Sequence, residues 1–106
     1  MDDIIFRHDV ATLVNVLTCE PAAQGRLLTL LRENIDNVIS GLDGWISTSL
    51  LAAPDGSCVV ILSQWRDGDA VKAMQTNEHM RAYLPKIAAL ARFDSIVAAV
   101  AHARAA

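Results

Sequence analysis

The chain has 106 residues, of which 53% are hydrophobic and 20% charged, with a formal net charge of -3. That length suits one domain, read here as a single unit over 1–106 with its core at about 11–101. With no cluster of Lys and Arg for phosphate, no apolar run near the roughly 20 residues of a membrane span, and an acidic start at Asp2 and Asp3 where a secretory signal is basic, the expectation is a soluble, cytoplasmic protein that binds neither nucleic acid nor membrane.

Ala11 to Thr18 is short and β-branched and runs into Glu20-Pro21, so it reads as a first strand with Asn15 as its one polar exception at mid-strand. From Pro21 to about Ser40 the apolar residues Leu27, Leu28, Leu31, Ile35, Val38 and Ile39 recur at three- and four-residue steps, opposite Arg26, Arg32, Glu33, Asp36 and Asn37. This predicts a long amphipathic helix stopped at Gly41. Gly44 to Ala52 and Cys58 to Trp65 predict the two strands of a hairpin around the tight turn Pro54-Asp55-Gly56-Ser57.

Asp67 is a suitable N-cap for a short helix to about Gln75, and Thr76 or Asn77 caps a second one towards Leu90, with a kink or break expected at Pro85. Phe93 to about Val100 predicts the last strand, followed by an alanine-rich tail. Cys19 and Cys58 lie beside strands, far from any Cys-x-x-Cys spacing, and read as small structural thiols; no metal site is expected.

Strand, helix, hairpin, helices, strand is the ferredoxin-like β-α-β-β-α-β order of an α+β fold, with an antiparallel sheet in the spatial order 4-1-3-2 and its helices on one face. The strands carry apolar residues on both sides: Leu13 and Leu17 against Val14 and Val16, Val59 and Ile61 against Val60 and Leu62, Val97 and Ala99 against Ile96 and Val100. A sheet with one face in water alternates with polar residues instead. The expected cover for the second face is another copy of the same sheet, giving a homodimer in the form of a dimeric α/β barrel.

The segments Leu13-Val14-Asn15-Val16-Leu17-Thr18, Leu42-Asp43-Gly44-Trp45, Asp55-Gly56-Ser57-Cys58-Val59-Val60 and Ser63-Gln64-Trp65-Arg66, in this order, resemble the antibiotic-biosynthesis monooxygenase family. Within it, the cofactor-independent oxygenases that turn anthrones into quinones are similar in two respects. Asn15 stands at the place of their first-strand asparagine and Trp65 at that of their third-strand tryptophan. The resemblance therefore implies an oxidoreductase without flavin or metal, acting on a small phenolic, anthrone-like or hydroquinone-like aromatic, with Asn15 and Trp65 catalytic. Those enzymes carry a second asparagine four residues before the tryptophan; this chain has Ile61 there, a substrate-wall position that has lost a polar contact.

His79 and Tyr83 stand at i and i+4 on the second helical segment and form a candidate acid/base or substrate-orienting pair. His8 and His102 lie near the ends of the chain. Asn15 has the alternative of bonding backbone groups at a bulge, and Trp65 and Trp45 the alternative of plain packing, Trp45 also at a dimer surface. A non-catalytic barrel binding a small apolar ligand, or serving as a pathway accessory, is the competing class, and Ile61 favours it. Haem degradation, known in the wider superfamily, is disfavoured because the aligned helix positions hold Met74 and Leu84 where those enzymes use tryptophan and histidine.

Overall fold

The computed structural model describes residues 7–106. Strand β1 (Ala11–Cys19) leads through a 3-10 turn at Pro21–Ala23 into helix α1 (Gln24–Asn37) and a second 3-10 turn at Ile39–Gly41. Hairpin strands β2 (Trp45–Ala52) and β3 (Cys58–Trp65) follow, then helices α2 (Gly68–Thr76) and α3 (Glu78–Ala88) and strand β4 (Ala91–Ala98). The antiparallel sheet has the order β2-β3-β1-β4, which is the ferredoxin-like α+β arrangement expected.

Each element has a local cause. Asp67 caps α2 by accepting from Ala70 N at 2.8 Å, and Asn77 ends α2 and caps α3 by accepting from His79 N and Met80 N. The hairpin turns through Gly56, whose φ of 80° suits glycine and where an added Cβ would meet Pro21 at 2.9 Å. Gln24 at the start of α1 holds the same turn, donating from Nε2 to Ala53 O at 2.9 Å and Cys58 O at 3.1 Å.

Two expectations about helices change. The long helix stops at Asn37, because Val38 leaves helical geometry at φ -126° and ψ -64° and the chain tightens into the second 3-10 turn. Helix α3 does not break at Pro85; it runs on to Ala88 with Met80 and Ile87 buried on either side. Proline removes one hydrogen-bond donor on an exposed face, and that local cost is outweighed by tertiary burial of the apolar stripe.

The core lies between the sheet and the helices. Leu13, Leu17, Val59 and Trp65 project from β1 and β3 against Leu27 and Leu31 of α1, Val71 and Met74 of α2, and Met80 and Ile87 of α3. Cys19 and Cys58 are free and half-buried, and burial pushes the Cys19 thiol up from its usual value. Trp45 packs on the core edge and donates from its indole to Thr48 Oγ1 at 2.8 Å.

On the far face Val14, Val16, Val60 and Leu62 are half-buried under no helix among the described residues, and β4 presents Ile96 there at 62% exposure. One end of this face is covered by the chain itself. Gln64 accepts from Arg7 N at 3.0 Å and donates to Arg7 O and Thr12 Oγ1, each at 3.0 Å, so the segment before β1 is fastened across it. Among the described residues no helix is long and apolar enough to cross a membrane.

Candidate active site

Strand alternation decides which side chains meet. In the register Asn15 opposes Ile61 on β3 and Ser95 on β4, and Leu13 opposes Ser63, so the odd-numbered residues of these strands share the helix side. There a cavity of about 180 Å³ opens between sheet and helices. Its sheet wall includes Asn15, Ile61, Ser63, Trp65 and Ser95; its helix wall includes Asn34, Met74, Met80, Leu84 and Ile87.

The sheet thus brings Asn15, Ile61 and Trp65 onto one wall. It does not bring the helical pair there. His79 is exposed and Tyr83 packs against the core cluster that holds Leu17, Leu27 and Ile87, under Lys86, whose Nζ lies 5.4 Å from the ring centroid. The face of α3 that lines the cavity is Met80 with Leu84 and Ile87, four and seven residues further along. His79 and Tyr83 are therefore not part of this cavity's lining, and none of the described residues lining it ionises near neutral pH.

Trp65 is 1% exposed, and its Nε1-H donates to Ser63 Oγ at 3.1 Å. The indole donor is therefore engaged within the chain, so a direct contact from it to a substrate would require this bond to give way. Ser63, which receives it, lines the cavity together with Trp65. Ser63 accepts from Trp65 and keeps its own proton to donate, so the indole orients and polarises that hydroxyl. Ser63 lies two residues after Ile61 and on the same side, so a polar group remains on this strand although the second asparagine is absent.

Asn15 is half-buried, and its Oδ1 accepts from the Ser95 hydroxyl across the β1–β4 pair. That bond turns the amide so that its NH₂ group, without a hydrogen-bond partner among the described residues, is the free end. Ser63, Ser95 and Asn34 were not singled out in the sequence. The usable signal for the serines was parity with Asn15 along paired strands; for Asn34 it was a polar residue three positions after Leu31 and seven after Leu27, at the centre of the apolar stripe.

A charged pair lies outside the lining of the cavity. Arg66 makes a two-pronged pair with Asp43, at 3.2 Å and 3.1 Å, and this guanidinium holds the Asp43 carboxyl below the usual carboxylate range. No group of three or more His, Cys, Asp or Glu side chains that could hold a metal ion is found among the described residues.

The profile of the antibiotic biosynthesis monooxygenase family matches residues 11–86. The chain belongs to this family. A curated relative, tetracenomycin-F1 monooxygenase of Streptomyces glaucescens, is 28% identical over 94 residues, covering 89% of this chain and 84% of its own. A variant of SnoaB, a cofactor-independent oxygenase from Streptomyces nogalater, superposes with a TM-score of 0.81 at 18% identity over 90% of this chain and 96% of its own. The monooxygenase from the ActVA-Orf6 gene of Streptomyces coelicolor, solved with the ligand nanaomycin D, gives a TM-score of 0.80 at 20% identity over 93% and 94%. At such identities these two structures bear on the fold.

Proposed function

We propose that the protein is a cofactor-independent monooxygenase that oxidises an anthrone-like or hydroquinone-like aromatic to a quinone with O₂. The observation that carries this reading is the NH₂ of Asn15, without a partner among the described residues, on the same sheet wall as Ser63 in an otherwise largely apolar cavity. The family membership and the tetracenomycin-F1 relative support the reaction type, and the nanaomycin D complex supports a small-molecule occupant.

Such a cavity matches the chemistry. An anthrone methylene loses a proton readily because the carbanion spreads onto the ring oxygen, and donors held at that oxygen favour the anion without reorganising. In water-poor surroundings the anion gives one electron to O₂; the carbon radical and superoxide combine and take up a proton to form a hydroperoxide. Loss of water, using the second methylene hydrogen, leaves the new carbonyl. One O₂ is consumed per quinone and water formed. Because none of the described residues lining the cavity ionises near neutral pH, the first proton leaves to solvent and the donors act by stabilising what remains.

The test is oxygen uptake by metal-free, flavin-free protein with a panel of anthrones and hydroquinones. Asn15→Ala should lower kcat on the order of 10²–10³-fold, as loss of an oxyanion donor does, while circular dichroism stays unchanged. No uptake by wild type across the panel would overturn the oxygenase reading in favour of the non-catalytic ligand-binding barrel that Ile61 suggested. We further infer a homodimer closed over Val14, Val16, Val60, Leu62 and Ile96, because no helix among the described residues covers these apolar side chains; a monomer by light scattering at micromolar concentration would refute it.

A further inference from the structure

One buried polar group in the cavity is not used by the reaction just described. Asn34 of α1 is 2% exposed and lies in line with Leu27 and Leu31 on the buried stripe. Its Nδ2 donates to Met80 Sδ at 3.3 Å, while its Oδ1 is shut away from solvent with no hydrogen-bond partner among the described residues. A thioether can only accept, so the NH₂ must be the end turned to Met80 and the carbonyl the end left over. An orphaned carbonyl destabilises the fold, and an apolar residue of similar shape would avoid that cost at a position where helix propensity and packing both favour leucine.

We propose that Asn34 is a specificity-determining residue whose Oδ1 accepts a hydrogen bond from a hydroxyl of the bound aromatic. The proposal rests on the reading above for an aromatic occupant but concerns recognition, independent of oxidation. An amide carbonyl has only lone pairs to offer, so its partner must be a donor, and on a planar aromatic the donor is a phenolic or enolic O–H. The free NH₂ of Asn15 makes the opposite demand and calls for a carbonyl or oxyanion. A ligand carrying both groups, a hydroxylated anthrone or quinone, satisfies each amide with its complement; a ring bearing a keto oxygen alone leaves Asn34 as it is.

Reaching Oδ1 requires Met80 to move, and its weak N-H···S contact is the only bond the Asn34 side chain makes among the described residues. Methionine is unbranched and changes rotamer readily. The unliganded cavity of about 180 Å³ is below the roughly 300 Å³ at which small-molecule pockets begin, so a shift of Met80 both admits the ring and exposes the acceptor.

The experiment measures binding, by quenching of tryptophan fluorescence, of 2-hydroxyanthraquinone and its methyl ether at a pH where the hydroxyl stays protonated. Wild type should bind the hydroxyl compound roughly ten- to hundredfold more tightly, the span expected when a buried acceptor is satisfied in one complex and orphaned in the other. Asn34→Leu and the smaller Asn34→Ala should bind the two compounds within about twofold of each other, so an unfolded variant of one kind leaves the other to decide. Asn34→Asp, which keeps an acceptor oxygen, should retain the preference. Equal affinities in wild type, as when a buried water already serves Oδ1, overturn the proposal; so does a preference that survives in Asn34→Leu or Asn34→Ala, or a wild type that binds neither compound. A preserved hydroxyl preference with no oxygen uptake would sink the oxygenase reading and leave Asn34 in this role.

Discussion

Leu17 and Val16 are neighbours on β1 and meet opposite worlds. Leu17 is buried among Leu27, Leu31, Val59 and Ile87, whereas Val16 lies half-buried on a face that no helix among the described residues reaches. The same contrast runs along β3, where Val59 and Trp65 are sealed and Val60 and Leu62 are not. Strand alternation distributed apolar residues evenly between the two sides, but the helices cover only one, and on that side they leave a cavity lined by Asn15, Asn34 and Ser63. One face therefore carries both core and candidate chemistry, and the other carries apolar area for a partner.

The sharpest way to break this contrast is to truncate the two neighbours. Leu17→Ala should cost about 2–5 kcal/mol in a urea titration, the range for a buried leucine. Val16→Ala should cost less than about 1 kcal/mol if its face stays open to water, since only partial burial is lost. In the proposed dimer the Val16 cost grows and depends on protein concentration while the Leu17 cost inside the core does not; equal, concentration-independent costs for both would erase the distinction between the faces.

A smaller effect separates the cavity's two donors. Ser63→Ala removes the hydroxyl that Trp65 orients, and should lower kcat roughly tenfold, as the loss of a neutral hydrogen bond of about 1 kcal/mol implies. An unchanged kcat, with oxygen uptake otherwise intact, would return Trp65 to a packing role only.

The smallest expected effect lies outside the cavity. The Asp43 carboxyl is held low chiefly by its hydrogen bond from Arg66, then by that residue's charge, so the folded state favours the ionised form. Its contribution is therefore fully present above the unfolded value near 3.9 and is lost as pH falls through the lower folded value. Arg66→Gln should melt slightly below wild type at pH 7, with the gap closing as the pH falls below the ordinary carboxylate range; both groups are exposed, so the difference is small. A gap that persists in acid would mean that Arg66 acts through packing instead of charge.

Much of the fold was legible because it rests on local signals: the β-branched run of β1, the turn at Asp55-Gly56, the caps Asp67 and Asn77, and the step of α1. What was not legible depended on tertiary placement. Spacing groups His79 with Tyr83, yet it cannot say which stripe of α3 turns inward, and packing chose Met80, Leu84 and Ile87. Asn34 was invisible for a related reason, since a polar residue in an amphipathic pattern is counted with the solvent side until its burial is seen. Asn15 and Trp65 were found through the family resemblance; that the Trp65 indole reaches Ser63 instead of the open cavity depended on a rotamer that no sequence pattern encodes.

The Gln64 side chain does for Arg7 what a neighbouring peptide group would do, offering one acceptor and one donor to the backbone N–H and C=O of the same residue. A single amide thus imitates a strand where the sheet has none, and it makes the apolar face lopsided. The Thr12 and Gln64 end is already occupied, while the Val16, Val60 and Leu51 end, towards the hairpin turn, is free. In the proposed dimer a two-fold-related partner would settle away from the centre of the sheet and towards that turn, with the Arg7 end of each subunit acting as a bumper for the other.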